Sequence, residues 1–215
     1  LVRETRTYEI VLRAVANGCH TPAEMATATG IVSPNLAPYL KRLRELGLIE
    51  RRIPATVPHA QRRATTRSRY HLRDSYLRFY FRFIEPNLEM IETGSTDLLW
   101  ERIKEQFRAF VGVTAFEDLC REWTLVQARA NKLPFPPELV GSHWSPEAQV
   151  DVVAINWRDK AILLGECKWG MDAVDRAVIR ELVEKASRVV PGTDWHVHYA
   201  YFARAGFTEA ARAEA

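Results

Sequence analysis

Three charged side chains lie at the ends of two apolar segments that a short polar turn connects. Asp151 stands near the start of the first segment, and Glu166 and Lys168 close the second. Both segments are rich in Val, Ile and Leu, and Arg158 and Asp159 lie between them, a pattern typical of a β-hairpin. With these two polar residues as the loop, the register places Asp151 directly opposite Glu166.

The predicted register brings two carboxylates together. It pairs Ile155 with Ile162 and leaves Asp151 and Glu166 with their β-carbons about 5 Å apart. Like charges at this separation repel each other, so a divalent cation between them would remove the conflict. Because strand side chains alternate in direction, Lys168 is expected on the same face as Glu166.

These residue types in this arrangement indicate phosphodiester hydrolysis. Carboxylate oxygens bind Mg²⁺ or Mn²⁺, and such an ion polarises a phosphodiester and lowers the pKa of a bound water. Lys168 would orient that water or stabilise the developing negative charge. The same residues leave an alternative open, an edge hairpin in which the two acids only end their strands and Lys168 pairs with one of them.

The N-terminal third predicts three helices followed by a strand. An apolar pattern that stops at residues 17–18 indicates the first helix. The capping box Thr21-Pro22-Ala23-Glu24 starts a second helix, which is expected to run to Gly30. A leucine repeat over residues 36–46 indicates the third helix, and residues 47–52 form a turn into a strand. This order is that of a winged helix-turn-helix, whose last helix enters the major groove of DNA.

Burial of the leucine repeat leaves polar and basic side chains outside, of types that contact phosphates or base edges. A mobile basic wing after Pro54 would add backbone contacts. The predicted nucleic-acid contacts are Asn35, Tyr39, Lys41, Arg42 and Arg44 on the helix, and Arg62, Arg63 and Arg67 on the wing. Pro38 lies inside the helix and predicts that it is bent or starts late. A solvated basic face or a protein-docking module is the alternative.

Charge and composition limit the choices further. Residues 1–73 carry 13 Lys or Arg against 5 Asp or Glu, whereas residues 74–215 carry 17 against 22. A basic N-terminal part is expected of a domain that faces phosphates or an acidic protein. The 3 cysteines show neither a disulfide framework nor zinc-ligand spacing. No apolar run approaches the ~20 residues of a membrane-spanning helix and no signal peptide is seen, so we expect a cytoplasmic protein.

The sequence predicts three parts: a winged helix over residues 1–73, a helical connector over 74–99 and an α/β domain over 100–215. The connector is expected to leave its arginines in solvent and to bury Tyr76, Leu77, Tyr80 and Ile84. Residues 98–123 predict a helix whose buried stripe includes Leu119 and Trp123. A later helix over residues 172–190 is expected to leave Lys185 in solvent, and the alternative is that Lys185 approaches the site as an accessory cation.

Asp151, a hairpin and then Glu166-Cys167-Lys168 resemble the PD-(D/E)XK motif of restriction-endonuclease-like nucleases. The resemblance implies that Asp151, Glu166 and Lys168 are catalytic. In that superfamily an acidic residue on the preceding helix often completes the site, and Glu117 matches it. The implied metal ligands are therefore Asp151, Glu166 and Glu117. Val150 stands where the motif has its proline.

Nearly the whole chain resembles the C-terminal region of archaeal-type P-loop ATPases of the AAA/STAND group, also described as the DEXX-box ATPase-associated family. The resemblance lies in residues 39–49, 72–83, 165–169 and 205–208. It implies an α/β fold, with a winged helix-turn-helix followed by a restriction-endonuclease-like α/β/α domain around a mixed sheet. It also implies an ATPase domain before Leu1. No GxxxxGK[ST] motif occurs here, so this chain is not expected to hydrolyse ATP.

The leading hypothesis is a DNA-associated module with a Mg²⁺-dependent or Mn²⁺-dependent endonuclease centre. One alternative is a non-catalytic DNA-binding or protein-docking region that regulates the ATPase, and another is a transcription regulator. The expected partners are DNA and the ATPase domain, without a membrane. Oligomerisation is left open.

Overall fold

The computed structural model describes the backbone of residues 2–214 and the side chains of residues 5–214. Within this part the chain forms two compact units. The first contains the residues up to Arg52 together with Ser68–Glu105, and the second contains Ile53–Arg67 and the residues from Gln106 onward. This division differs from the expected boundaries at residues 73 and 99, because the expected connector packs with the N-terminal helices.

The first unit begins with three helices and a two-stranded antiparallel sheet. Its elements are α1 (Val2–Ala16), α2 (Pro22–Thr29), α3 (Ser33–Glu45), β1 (Ile49–Arg52) and β2 (Arg69–Leu72). The predicted capping box is confirmed, because Glu24 N donates to Thr21 Oγ1 at 3.3 Å and Thr21 N donates to Glu24 Oε2 at 2.8 Å. The core draws on all of these elements and includes Val11, Met25, Leu36, Ile49 and Leu72.

The third helix starts earlier than its internal proline predicts. α3 is helical from Ser33 to Glu45, with Pro38 inside it. Of the two alternatives that Pro38 predicts, a late start is therefore wrong, and a bend stays a prediction. Proline removes a single amide donor from the helix, and Leu36 before it and Leu40 and Leu43 after it are buried. Leu46, the last residue of the predicted repeat, is instead 53% exposed. Tertiary packing of such an apolar face supplies most of the stability of a helix in a folded protein.

The chain after β2 forms a series of short helical segments. These are α4 (Ser75–Phe79), a π-helical turn (Tyr80–Ile84), a 3₁₀ turn (Glu85–Asn87), α5 (Leu88–Glu92) and α6 (Thr96–Phe110). The expected buried face is wrong at Tyr76, which is 65% exposed, whereas Phe81 and Phe83 are buried. Arg78, expected in solvent, is buried and donates from Nε to Leu72 O at 2.7 Å. Tyr76 and Arg78 precede the π-helical turn, and Phe81 and Phe83 lie within it.

The second unit is built around a mixed four-stranded sheet. Its elements are a π-helical turn (Val111–Phe116), α7 (Glu117–Arg129), β3 (Leu139–Trp144), β4 (Gln149–Asn156), β5 (Ala161–Lys168), α8 (Arg176–Val189), β6 (His196–Ala203) and α9 (Glu209–Glu214). The strand order is β3-β4-β5-β6, and only β5 and β6 are parallel. The expected mixed sheet is therefore confirmed. No helix within residues 2–214 combines the length and the apolar character needed to cross a membrane.

Two helices of the second unit pack on opposite faces of this sheet. On one face, Leu182 of α8 joins Ile155 and Leu164 in a core of fully buried side chains. On the other face, the ring of Trp123 on α7 meets the ring of Phe202 on β6 edge-on, with 5.6 Å between centroids. The central strands β4 and β5 therefore lie between α8 on one face of the sheet and α7 on the other.

The segment expected to form a mobile wing, Ile53–Arg67, belongs to the second unit. Ala55 N donates to Ser142 O on β3 at 2.8 Å, and Trp144 Nε1 donates to Arg67 O at 3.1 Å. Ala55 is fully buried in the core of that unit. The segment connects β1 to β2, as expected of a wing, and hydrogen bonds at its two ends hold it against the sheet of the second unit, whereas its contact with nucleic acid stays a prediction.

Candidate active site

The hairpin of β4 and β5 brings Asp151 next to the end of β5. The predicted register is confirmed, with Ile155 opposite Ile162. Beyond the last pair of the ladder, Cys167 N donates to Asp151 Oδ2 at 2.9 Å. This bond holds the Asp151 carboxylate beside the strand end that carries Glu166.

Glu166 lies between two lysines. Its side chain is almost fully buried, and its Oε1 is 2.8 Å from Lys168 Nζ, as expected for two residues on one strand face. Its Oε2 is 3.4 Å from Lys185 Nζ, which also contacts Glu181 at 3.0 Å. The assignment of Lys185 to solvent is therefore wrong. The alternative, in which Lys185 approaches the site as an accessory cation, agrees with this contact.

Arg121 on α7 connects the helix to the hairpin and is absent from the predicted site residues. Its Nη1 donates to Asp151 O at 2.7 Å and lies 3.3 Å from Glu117 Oε2, while its Nη2 lies 2.5 Å from Asp118 Oδ1. The positions of Glu117 and Asp118, four and three residues before Arg121, indicate a charge cluster on one helix face. Arg121 therefore holds Glu117 close to the start of β4.

The face of α7 that points to the sheet is not the predicted one. Leu119 and Trp123 are 59% and 51% exposed, whereas Cys120 and Thr124 are buried. The predicted apolar stripe is therefore wrong in this helix. The π-helical turn that precedes α7 alters the helical period, and a stripe continued with a period of 3.6 residues therefore points in the wrong direction. The shift turns Glu117 toward the site.

Burial and neighbouring charges change the proton affinity of two carboxyl groups in the site. Burial raises the pKa of Glu117 to about 7, with a further contribution from the charge of Asp151 and opposition from Arg121. Burial also raises the pKa of Asp151, although the hydrogen bond from Cys167 N opposes the rise and the charge of Glu166 adds to it. Asp151 therefore interacts electrostatically with both Glu117 and Glu166.

The carboxylates of the site are candidate ligands for a divalent cation. Within residues 2–214 no three His, Cys, Asp or Glu side chains are arranged closely enough to hold a metal ion. Mg²⁺, however, keeps several waters and is usually held by one or two carboxylates. Asp151 and Glu166 are hard oxygen donors at adjacent strand ends, and this donor set fits such an ion.

The predicted nucleic-acid contacts fall into two groups. On α3 of the first unit, four polar or basic side chains are exposed: Asn35, Lys41, Arg42 and Arg44. Tyr39 is instead half-buried against the core, with its ring 5.1 Å from that of Tyr8. Arg62, Arg63 and Arg67 belong to the segment in the second unit, and Arg62 Nη1 donates to Pro54 O at 3.0 Å.

The predicted catalytic residues lie within the part of the chain that matches a known family model. Residues 80–180 match the family model DUF234, described as archaeal and bacterial proteins of unknown function. The chain is 36% identical over 200 residues to the uncharacterized protein MJECL04 of Methanocaldococcus jannaschii. The alignment covers 92% of this chain and 44% of that relative, so the chain spans less than half of the relative's length. No solved structure matches the chain significantly.

Proposed function

We propose that this chain is a DNA-associated module whose second unit hydrolyses phosphodiester bonds with Mg²⁺ or Mn²⁺. The observation that carries the proposal is the meeting of Asp151, Glu166 and Lys168 at one end of a mixed sheet, with Glu117 approaching from α7. These are the four groups that the resemblance to PD-(D/E)XK nucleases implies. The exposed basic side chains of α3 support association with DNA, through a winged helix in this proposal.

Each residue of the site has a physical task in this proposal. Asp151 and Glu166 would hold the metal ion, and Glu117, the third ligand that the resemblance implies, would lie beside it, because no three such side chains of the described residues are close enough to hold one ion. The ion would polarise the scissile phosphodiester and lower the pKa of a water molecule. Lys168, whose Nζ is 2.8 Å from Glu166, donates to the attacking water or to a phosphate oxygen. Arg121 fixes the position of Glu117 relative to Asp151 through its two contacts.

A non-catalytic regulatory region is the second candidate, and one observation favours it. Lys168 and Lys185 already neutralise Glu166, and Arg121 already neutralises Glu117. Paired in this way, the charges need no metal ion to balance them. In that case the site stabilises the second unit, and the chain acts by docking or by binding DNA.

A P-loop ATPase domain in the same polypeptide, at a cytoplasmic location, completes the proposal. The support comes from the resemblance of residues 39–49, 72–83 and 165–169 to such ATPases. The relative with 36% identity is more than twice as long as the aligned segment.

A cleavage assay separates the two candidates. Supercoiled and linear DNA are incubated with the chain in Mg²⁺ or Mn²⁺, beside Asp151→Asn and Lys168→Met, with the exposed Asp172→Asn as the matched control. Metal-dependent cleavage that both site variants lose and the control keeps supports hydrolysis. No cleavage together with no metal-induced rise in melting temperature overturns the metal site. The absence of both also favours the regulatory candidate, whereas a metal-induced rise without cleavage indicates a metal site that awaits the ATPase domain.

A further inference from the structure

A groove of about 740 Å³ lies in the first unit, where α3 ends and β1 begins. Its charged lining residues are Lys41, Arg44, Glu45, Glu50, Arg51 and Arg73. Four of these six are cations, so the groove carries an excess of positive charge. Arg51 and Arg73 lie outside the surface that the sequence predicts for nucleic acid, and they extend it beyond the end of α3.

Both carboxylates of the groove are engaged by cations. Glu45 Oε2 lies 3.4 Å from Arg42 Nη1, and Glu50 Oε1 accepts a hydrogen bond from Arg52 Nε at 2.6 Å. Neither Arg42 nor Arg52 is among the residues that line the groove. Lys41 Nζ, which does line the groove, also lies 4.0 Å from Glu45 Oε1, so the unbalanced positive charge of the groove comes from its arginines.

Two guanidinium groups in the groove have no such partner. In the part of the chain that the structure describes, Arg44 and Arg73 are exposed, and neither makes a side-chain hydrogen bond or an ion pair. Arg73 Nη1 lies 3.7 Å from the position that a Cβ on Gly47 would take. Gly47 N in turn donates to Arg44 O at 3.0 Å, and Arg73 N donates to Leu48 O at 3.0 Å. The fold therefore holds both arginines at the turn that ends α3.

We propose that this groove binds one phosphate group of a nucleic-acid backbone through Arg44 and Arg73. Guanidinium groups donate paired hydrogen bonds to phosphate oxygens, and a phosphate here would balance charges that no described residue balances. Two guanidinium groups without a partner match the oxygens of one phosphodiester group, so a single phosphate is the ligand that fits. The proposal rests on the DNA association proposed above and assigns one contact to it.

The test is a salt series of fluorescence anisotropy on the whole chain, with a labelled random-sequence DNA duplex and EDTA to prevent cleavage. Arg44→Gln combined with Arg73→Gln is expected to weaken binding about tenfold and to reduce the slope of log K against log salt by about 0.9, the value for one phosphate. The double lysine variant keeps both charges and is expected to keep the slope. Arg6→Gln, at an exposed arginine on α1, is the matched control.

The outcomes are distinguishable. A reduced slope with an unchanged melting temperature supports the contact. Equal binding by the double glutamine variant and Arg6→Gln overturns it and leaves DNA association intact, whereas a wild-type chain that does not bind the duplex overturns both. Binding of inorganic phosphate or a mononucleotide without binding of the duplex overturns the assignment to nucleic acid. A lower melting temperature with an unchanged slope assigns the arginines to the carbonyl end of α3 and also overturns the contact.

Discussion

Replacing Glu117 with Gln is expected to stabilise the second unit above pH 7. Burial raises the pKa of this carboxyl from 4.5 to about 7, even though Arg121 opposes the rise. The folded state therefore binds the proton more tightly than the unfolded state, and the free energy of unfolding falls as the pH rises from 4.5 to 7. A difference of this size corresponds to about 3 kcal/mol, and only 16% of the side chain is exposed to screening solvent. Gln is neutral at every pH and removes that unfavourable charge.

Urea unfolding followed by tryptophan fluorescence measures this effect. Trp100 is the only tryptophan of the 6 in the chain that lies outside the second unit, so the signal reports mainly on that unit. Glu117→Gln is expected to raise the free energy of unfolding by about 3 kcal/mol at pH 8 and by about 1 kcal/mol at pH 5. Glu122→Gln, at an exposed position on the same helix, is the control. A gain that is equal at the two pH values, or no larger than that of the control, would refute the reasoning.

Two further predictions use the same measurement. Arg121→Met removes the partner of a buried carboxylate and is expected to destabilise the second unit by about 3 kcal/mol or more. The loss of stability is expected to be larger at pH 8 than at pH 5, because Arg121 lowers the pKa of Glu117. A loss of stability that is independent of pH would contradict this account. Gly165→Ala places a Cβ 2.8 Å from Val152 Cβ and is expected to destabilise the sheet by about 1–3 kcal/mol. Gly170→Ala, whose Cβ has only one neighbour, at 4.0 Å, serves as the control, and equal urea midpoints for the two would show that the sheet absorbs the added methyl group.

The hairpin illustrates how much of the site could be predicted from the sequence. The alternation of apolar residues and the position of the polar turn determine the register, because a shift of one residue would turn every side chain to the opposite face. The pairing of Ile155 with Ile162 and the contact of Glu166 with Lys168 followed from that register. The capping box at Thr21 was also predictable, because it depends only on two residues that are three apart in the sequence.

The helical segments illustrate where such reasoning fails. A π-helical turn precedes α7 and another follows α4, and each interrupts the period of 3.6 residues on which the predicted faces depended. Trp123, which the stripe predicted as buried, is 51% exposed and keeps only one edge-on contact with Phe202, while Tyr76 is 65% exposed and Arg78 is buried. No signal in the sequence marks these turns, because a π-helical turn forms where tertiary packing favours it.

The sequence by itself determined what depends on neighbours along the chain: the helix start at Thr21, the strand register and the shared face of Glu166 and Lys168. Only the tertiary structure decided which charges meet these residues from elsewhere, Arg121 from α7 and Lys185 from α8. It also decided the burial that raises the pKa of Glu117. The physical reason is that hydrogen bonds within one element are local, whereas burial and ion pairing depend on how distant elements pack.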